Sequence, residues 1–230
     1  MLRTTPAGLV GSACLLAADL AWALTVRPPA LELLLPWFVA LAAVGLFLPG
    51  VANQVTLSRA HLAGPALVYS VTPARLLELT VVVALAAVSD VLDGTVARRL
   101  GERSRLGGAL DPVVDGVLFG AVATGLAVGG AYPAWLAVVV VARYAVPAVA
   151  GAMLLAAGRR PALQHTRGGQ ASTLVIAVLL CALALARALG WPTDILLSVA
   201  AVALPLGAVG AFANLLWANR GAIWPAGQKG

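Results

Sequence analysis

The sequence predicts an all-α polytopic membrane protein, and three observations lead to this fold class. The chain has 230 residues, of which 61% are hydrophobic and only 10% charged, and its mean hydropathy is +0.97. A soluble domain carries roughly a quarter charged residues. The apolar runs reach the length of a membrane-spanning helix, about 20 residues. Strand-like alternation of apolar and polar residues is absent, so a β-barrel is disfavoured.

Clusters of Gly, Pro and Arg divide the chain into eight apolar segments, each of which we expect to be a helix. These segments cover residues 6–26, 30–48, 56–71, 74–98, 108–130, 132–157, 170–190 and 193–217. The first also fits a signal peptide, but a second apolar run follows at once, and we favour a retained helix. We find no sequence repeat and no second domain. The first two helices look like an addition to a six-helix core.

The segment 49–58, PGVANQVTLS, separates the second and third predicted helices. Its composition is typical of a turn that leads into a helix start. Thr56 or Ser58 would then be the N-cap residue, because a hydroxyl oxygen can accept a hydrogen bond from a free backbone N–H of the first turn.

The distribution of arginine predicts how the chain is oriented. The net charge is +6, and the basic residues concentrate at both termini and in the loops 98–106 and 158–169, whereas the alternate loops hold only Arg27, Arg75 and Arg187. Cytoplasmic loops of membrane proteins are enriched in Lys and Arg. We therefore expect an integral membrane protein with these loops and both termini in the cytoplasm, in the plasma membrane if the chain is prokaryotic. The same rule explains the basic charge without a nucleic-acid partner.

Four aspartates lie in one short, otherwise apolar stretch of the chain. They are Asp90, Asp93, Asp111 and Asp115. A carboxylate in hydrocarbon costs several kcal/mol unless it is compensated, and four neighbouring carboxylates also repel one another. A divalent metal is the simplest compensation, so we expect a metal site at the membrane surface.

Helical spacing predicts that these carboxylates meet. Asp90 and Asp93 share a face of one helix, and Asp111 and Asp115 share a face of the next. Because a short cytoplasmic loop joins the two helices, the hairpin brings the four together near the cytoplasmic surface. An all-oxygen site suits Mg²⁺ or Mn²⁺ and is poor for Zn²⁺. Four carboxylates are enough for two ions that bridge a diphosphate.

The spacing of this stretch resembles the signature of the CDP-alcohol phosphatidyltransferase family. The pattern D-x2-D-G-x2-A-R-x8-G-x3-D-x3-D is matched at every fixed position, by Asp90, Asp93, Gly94, Ala97, Arg98, Gly107, Asp111 and Asp115. The surrounding six-helix pattern extends the resemblance over about residues 50–217. A shorter element, Asn53, Thr56 and Arg59, resembles the N-x2-T-x2-R approach to the family's first core helix.

The resemblance implies a six-helix core at residues 51–218, preceded by additional transmembrane helices at 1–50 and followed by a cytoplasmic tail at 219–230. The expected enzyme transfers a substituted phosphate from a CDP-linked lipid, such as CDP-diacylglycerol, to an alcohol and releases CMP. Its active site faces the cytoplasm. Homodimers are typical of the family, although no motif here requires one.

The resemblance also implies roles for particular residues. Asp90, Asp93 and Asp111 would hold the metal ions, and Asp115 would contact the second metal and take the proton from the attacking hydroxyl. The CDP-lipid would be bound by Asn53, Thr56, Arg59, Gly94, Ala97, Arg98 and Gly107.

Basic residues outside the signature are candidates for binding the acceptor. Arg143 lies in an otherwise apolar helix, where an arginine indicates either a functional site or a buried ion pair. Arg159, Arg160 and Arg167 either bind the phosphate of a phosphorylated acceptor or are ordinary cytoplasmic charge. By contrast, we expect His61 to be a polar residue at the membrane interface.

Two other enzyme or transport functions remain compatible with the aspartates alone. A membrane prenyltransferase also binds Mg²⁺-diphosphate on aspartate-rich helices, but it has no evident need for the glycines and Arg98 at these spacings. A cation transporter would need carboxylates along a path across the membrane, whereas these cluster at one face. The acceptor alcohol stays open, with a slight preference for a phosphorylated one. The sequence also leaves open the role of the first two helices.

Overall fold

The computed structural model describes residues 4–100, 105–158, 167–218 and 220. Within these ranges only the backbone is described for Val91, Asp93, Gly94, Ala97, Arg98, Leu100, Arg105, Leu106, Arg167 and Gly168. The described residues form helices and connecting turns, without a strand. In chain order, the helices are α1 Pro6–Val26, α2 Leu31–Gly45, α3 Val51–Val71, α4 Leu76–Leu100, α5 Arg105–Val128, α6 Ala134–Ala156, α7 Arg167–Ala188 and α8 Asp194–Ala218. A 3₁₀ turn, Pro73–Arg75, precedes α4.

Five of these helices are long and apolar enough to cross a membrane. The spans lie at Pro6–Val26, Gly107–Val128, Ala134–Ala156, Gly169–Ala188 and Asp194–Ala218. Helix α2 is apolar but shorter, with 15 residues. Helices α3 and α4 are less apolar than the five spans, because they carry the polar and charged residues of the motifs. Both of these more polar helices contribute side chains to the candidate site.

The predicted turn at 49–58 is wrong in extent, because α3 already begins at Val51. Gly50 precedes it with φ of 84°, a conformation that suits glycine and turns the chain sharply into the helix. Asn53, Thr56 and Arg59 are therefore helical. Neither predicted cap is formed: the hydroxyl of Thr56 donates to the Ala52 carbonyl at 3.2 Å, and that of Ser58 donates to Val55 at 2.6 Å.

Helix α3 is the central helix of the bundle. It packs against α4 and α5 on one side and against α1 and α2 on the other. Helix α6 packs on α5 and α8, and α7 packs on α4 and α8. The close approach of α3 and α5 needs glycine: a Cβ added at Gly125 would lie 1.7 Å from Ser70 Oγ. This close contact holds α5, with two of the aspartates, against α3.

The first two helices contact α3 through polar groups as well as apolar ones. Asp19 of α1 pairs with His61 Nδ1 of α3 at 2.5 Å, with both side chains buried. His61 stacks on Phe38 of α2, and Trp22 Nε1 donates to Tyr69 Oη at 2.7 Å. The expectation that His61 lies at the membrane interface is wrong, because its side chain is 3% exposed and packed between three helices.

Candidate active site

An arginine at the centre of the bundle contacts three aspartates of the motif. Arg59 Nη1 lies 2.6 Å from Asp90 Oδ1 and 2.7 Å from Asp115 Oδ1, and Arg59 Nη2 lies 3.0 Å from Asp111 Oδ1. Helix α3 supplies the guanidinium, α4 supplies Asp90, and α5 supplies the other two carboxylates. The site is therefore built from three helices.

Local helical geometry explains why these groups converge. Asp111 and Asp115 are four residues apart on α5, so both project from one face of that helix. Asp90 lies in the second half of α4, and Arg59 lies in the first half of α3. Since α3 packs closely against both α4 and α5, the guanidinium reaches the three carboxylates at once.

The exposure of the carboxylates is graded across the site. The side chain of Asp90 is 61% exposed, that of Asp111 34% and that of Asp115 6%, whereas Arg59 is 2% exposed. The cluster is open on the Asp90 side and closed at Asp115.

The charges of these four side chains do not cancel. In their ionised forms, three carboxylates and one guanidinium carry a net charge of −2. Buried charges need close partners to offset their desolvation. A divalent cation, or the positively charged groups of a bound ligand, would offset the net negative charge of these four side chains.

The carboxylate oxygens have the chemistry that Mg²⁺ and Mn²⁺ prefer. Within the described part of the chain, however, no three Asp, Glu, His or Cys side chains surround a common point as a metal cage. The carboxylates of Asp90, Asp111 and Asp115 contact Arg59 instead. The donor type therefore fits a hard divalent ion, while the cation that these carboxylates share in this structure is a guanidinium. The side chain of Asp93 lies outside the described residues.

Two further predicted residues of α3 are buried beside this cluster. The Asn53 amide donates to the Pro49 carbonyl at 2.5 Å, which braces the start of the helix. Thr56 lies one turn before Arg59, and its side chain is within hydrogen-bonding reach of Asp111. Gly107 begins the face of α5 that carries the aspartates, one turn before Asp111. For Gly94, Ala97 and Arg98, the α4 backbone is described but the side-chain positions are not.

Arg143 occupies a second polar position, between α6 and α7. Its Nε donates to Ser172 Oγ at 3.4 Å and its Nη2 to the Gly169 carbonyl at 3.3 Å. The guanidinium also lies over the Tyr144 ring, 5.2 Å from the centroid, and interacts electrostatically with Asp115. The structure thus places a buried cation next to the closed end of the aspartate cluster.

Sequence reasoning missed the residues that hold Arg143 in place. Tyr144 Oη donates to Thr173 Oγ1 at 3.3 Å, parallel to the Arg143–Ser172 contact. The segment 168–173, which follows the second basic loop, contains these partners. Its glycines and hydroxyl residues were the feature of the sequence that could have identified them. Arg159 and Arg160 lie outside the described residues, and Arg167 begins α7 with its side chain undescribed.

Comparison with known proteins agrees with the motif. Residues 50–212 match the family model described as CDP-alcohol phosphatidyltransferase. This match includes α3 to α7 and most of α8, and therefore every residue of the aspartate cluster.

Similar curated proteins carry two kinds of name. A "Probable phosphatidylglycerophosphate synthase" from Mycobacterium tuberculosis is 34% identical over 95 residues, which cover 41% of this chain and 44% of the relative. A "Cardiolipin synthase (CMP-forming)" from Streptomyces coelicolor is 36% identical over 110 residues, covering 48% and 51%. A "Probable cardiolipin synthase (CMP-forming)" from Drosophila melanogaster is 34% identical over 94 residues, covering 40% and 29%. The chain thus spans about half or less of the length of the relatives it matches.

Proposed function

The chain belongs to the CDP-alcohol phosphatidyltransferase family, and we propose that it transfers a phosphatidyl group from a CDP-linked lipid, such as CDP-diacylglycerol, to an alcohol. The second product is CMP, and the pathway is phospholipid biosynthesis. The observation that carries this proposal is the convergence of Asp90, Asp111 and Asp115 on one buried arginine inside the matched region. A polar cluster of this kind within an apolar bundle is costly to maintain, which favours a functional role.

The metal ligands in this proposal are Asp90, Asp93, Asp111 and Asp115. They would hold Mg²⁺ or Mn²⁺, with two ions at full occupancy. When bound, the ions would neutralise charge on the diphosphate of the CDP-lipid and stabilise CMP as the leaving group.

Asp115 is the proposed general base. It is the most buried carboxylate of the cluster, and it lies on the side that faces Arg143. In the reaction, the acceptor oxygen forms a bond to the lipid-side phosphorus, and the bond from that phosphorus to the CMP oxygen breaks. Asp115 accepts the proton of the attacking hydroxyl. A positioned general base contributes about 10²- to 10⁴-fold to the rate.

The proposed CDP-lipid site extends along α3, α4 and the start of α5. Polar residues of α3 border the diphosphate, and small residues of the motif leave room for the nucleotide next to the helix backbones. The proposed set is Asn53, Thr56, Arg59, Gly94, Ala97, Arg98 and Gly107.

We propose that Arg143 binds a phosphorylated acceptor, with Arg159, Arg160 and Arg167 as further candidates. A guanidinium recognises phosphate through paired hydrogen bonds. Arg143 is buried beside the proposed base, so an acceptor phosphate bound there would bring a nearby hydroxyl toward Asp115. The names of the relatives refer to two products, phosphatidylglycerophosphate and cardiolipin, so a test has to include acceptors for both.

The proposed architecture has residues 51–218 as the catalytic core, 1–50 as two additional helices and 219–230 as a tail, with the active site open to the cytoplasm. The arginine-rich loops support this orientation. A homodimer is compatible with the family.

The test is CMP release by the purified chain in detergent with CDP-diacylglycerol and Mn²⁺ or Mg²⁺. The acceptors are glycerol 3-phosphate, inositol phosphate, serine, inositol and phosphatidylglycerol. We expect metal-dependent CMP release with one acceptor. Absence of both CMP release and CDP-lipid binding would contradict the proposal, and turnover of a prenyl diphosphate instead would establish the prenyltransferase alternative.

A further inference from the structure

Arg59 is the largest fully buried polar side chain of the described protein. The resemblance of its motif implies that it borders the diphosphate of the CDP-lipid. In the structure, both of its terminal nitrogens contact carboxylates, and those carboxylates are the proposed metal ligands. Arg59 therefore occupies the place where a cation of the reaction is expected.

A metal ion and this guanidinium would be held by the same three carboxylates. Mg²⁺ binds carboxylate oxygens at about 2.1 Å, and the Oδ1 atoms of Asp90, Asp111 and Asp115 are 2.6–3.0 Å from Arg59 nitrogens. An ion held by these oxygens would lie within about 5 Å of the guanidinium. Two cations at that distance in a poorly solvated site repel each other strongly.

The cluster also needs a cation before any metal arrives. Without Arg59, the three carboxylates would lose the cation that all three contact, in a site where Asp115 is nearly inaccessible to water. Such an arrangement is strongly destabilising. The arginine thus offsets a cost that a metal ion would otherwise have to offset during folding.

We propose that Arg59 is an exchangeable internal cation: it holds Asp90, Asp111 and Asp115 together in the metal-free protein, and divalent metal displaces it from them. Once displaced, the guanidinium is available to the diphosphate of the incoming lipid. Only this last step depends on the proposed transferase function. The exchange itself is a property of the chain and the metal.

The test compares Arg59→Gln with the unmodified chain in Mn²⁺ binding, measured in detergent without any lipid substrate. Free Mn²⁺ is followed by its electron paramagnetic resonance signal. Because the competing charge is removed, Arg59→Gln is expected to bind Mn²⁺ at least about tenfold more tightly. Arg75→Gln is the matched control, since Arg75 lies over the Tyr69 ring and makes no described contact with the cluster. It should bind Mn²⁺ like the unmodified chain.

Thermal unfolding of the same proteins gives a second readout. Arg59→Gln should unfold at a lower temperature than the unmodified chain in EDTA and recover when Mn²⁺ is added, because the metal replaces the lost charge. Arg59→Lys retains the charge and should remain folded in EDTA, with a Mn²⁺ affinity within about threefold of the unmodified chain.

Three results would overturn the exchange. One is an unchanged or weaker Mn²⁺ affinity in folded Arg59→Gln. Another is failure of Arg59→Gln to fold even with Mn²⁺, which would make Arg59 a structural residue that metal cannot replace. The third is a gain in affinity for Arg75→Gln equal to that for Arg59→Gln. A chain that shows the expected exchange but neither binds the CDP-lipid nor releases CMP would refute the proposed function and leave this inference standing.

Discussion

Asp115 is the residue on which the proposed chemistry depends most. We expect Asp115→Asn to lower CMP release by about 10²-fold or more, since an amide cannot accept the proton. CDP-lipid binding in the presence of Mn²⁺ should be largely retained. Asp194→Asn is the matched control, because Asp194 is exposed at the start of α8. Turnover that survives in Asp115→Asn would remove Asp115 from the role of base.

Substitution of Arg143 distinguishes a role in acceptor binding from a purely structural role. If it binds the acceptor phosphate, Arg143→Ala should raise the KM for the acceptor by about tenfold or more, as the loss of a charged hydrogen bond implies, while the KM for the CDP-lipid changes little. Ser172→Ala removes one of its hydrogen-bond partners and should have a smaller effect in the same direction. An equal loss of folded protein and of both affinities would instead indicate that Arg143 only ties α6 to α7.

The residues of the site were predictable to different degrees. The aspartates could be found because their spacing places them on adjacent helix faces and because carboxylates in an apolar chain need compensation. The partner of those aspartates could not, since Arg59 is 31 and 52 residues away from Asp90 and Asp111 in the chain. Which contacts form across such distances depends on how α3 packs against α4 and α5, and periodicity carries no information about that.

At the scale of elements, the connection of α1 to α3 gives a stability prediction. Asp19→Leu would leave His61 buried without its partner, and removing one member of a buried pair costs about 3–5 kcal/mol. We expect a clear fall in the thermal midpoint of the purified protein. Asp19→Leu combined with His61→Leu should recover much of this loss, because an apolar pair needs no charge compensation. A single variant as stable as the unmodified chain would show that the pair contributes little.

The close approach of α3 and α5 gives a second prediction at this scale. Gly125→Ala should destabilise the protein by about 1–3 kcal/mol, the usual cost of overpacking, because the added methyl would collide with Ser70. Gly210→Ala is the matched control on α8, where a Cβ would meet nothing within 4 Å. Chemical unfolding of both variants in detergent measures the difference. Equal midpoints for the two would mean that α3 and α5 adjust without cost.

The helices themselves were largely predictable. Apolar runs bounded by Gly, Pro and Arg predicted α1 at 6–26, and the structure has Pro6–Val26; the last helix, predicted at 193–217, is Asp194–Ala218. The start of α3 was predicted too late in the chain. The first turns of this helix are rich in Asn, Gln, Thr and Ser. Those residues favour turns in water, but here their side chains bond to carbonyls within the bundle. Gln54, for example, donates to the Gly45 and Leu48 carbonyls at the end of α2.

At the scale of the whole molecule, the polar groups are concentrated around α3. One face of this helix meets the aspartates of α4 and α5, and the opposite face meets Asp19 and Phe38 of the first two helices. The family match begins at residue 50, just before α3. Helices α1 and α2, which precede the family match, therefore pack on the side of α3 opposite the aspartates. No pattern in the sequence of α1 and α2 indicated this contact.

Isotope labelling of the acceptor oxygen is the most direct test of the central claim, which is phosphatidyl transfer to an alcohol. The purified chain would be given CDP-diacylglycerol, Mn²⁺ and its acceptor with ¹⁸O in the reacting hydroxyl, and the products analysed by mass spectrometry. We predict that the ¹⁸O is retained in the phosphate ester of the new phospholipid, with one unlabelled CMP released for each lipid formed. Label in CMP, or CMP formed without a labelled phospholipid, would contradict attack of the acceptor on the lipid-side phosphorus.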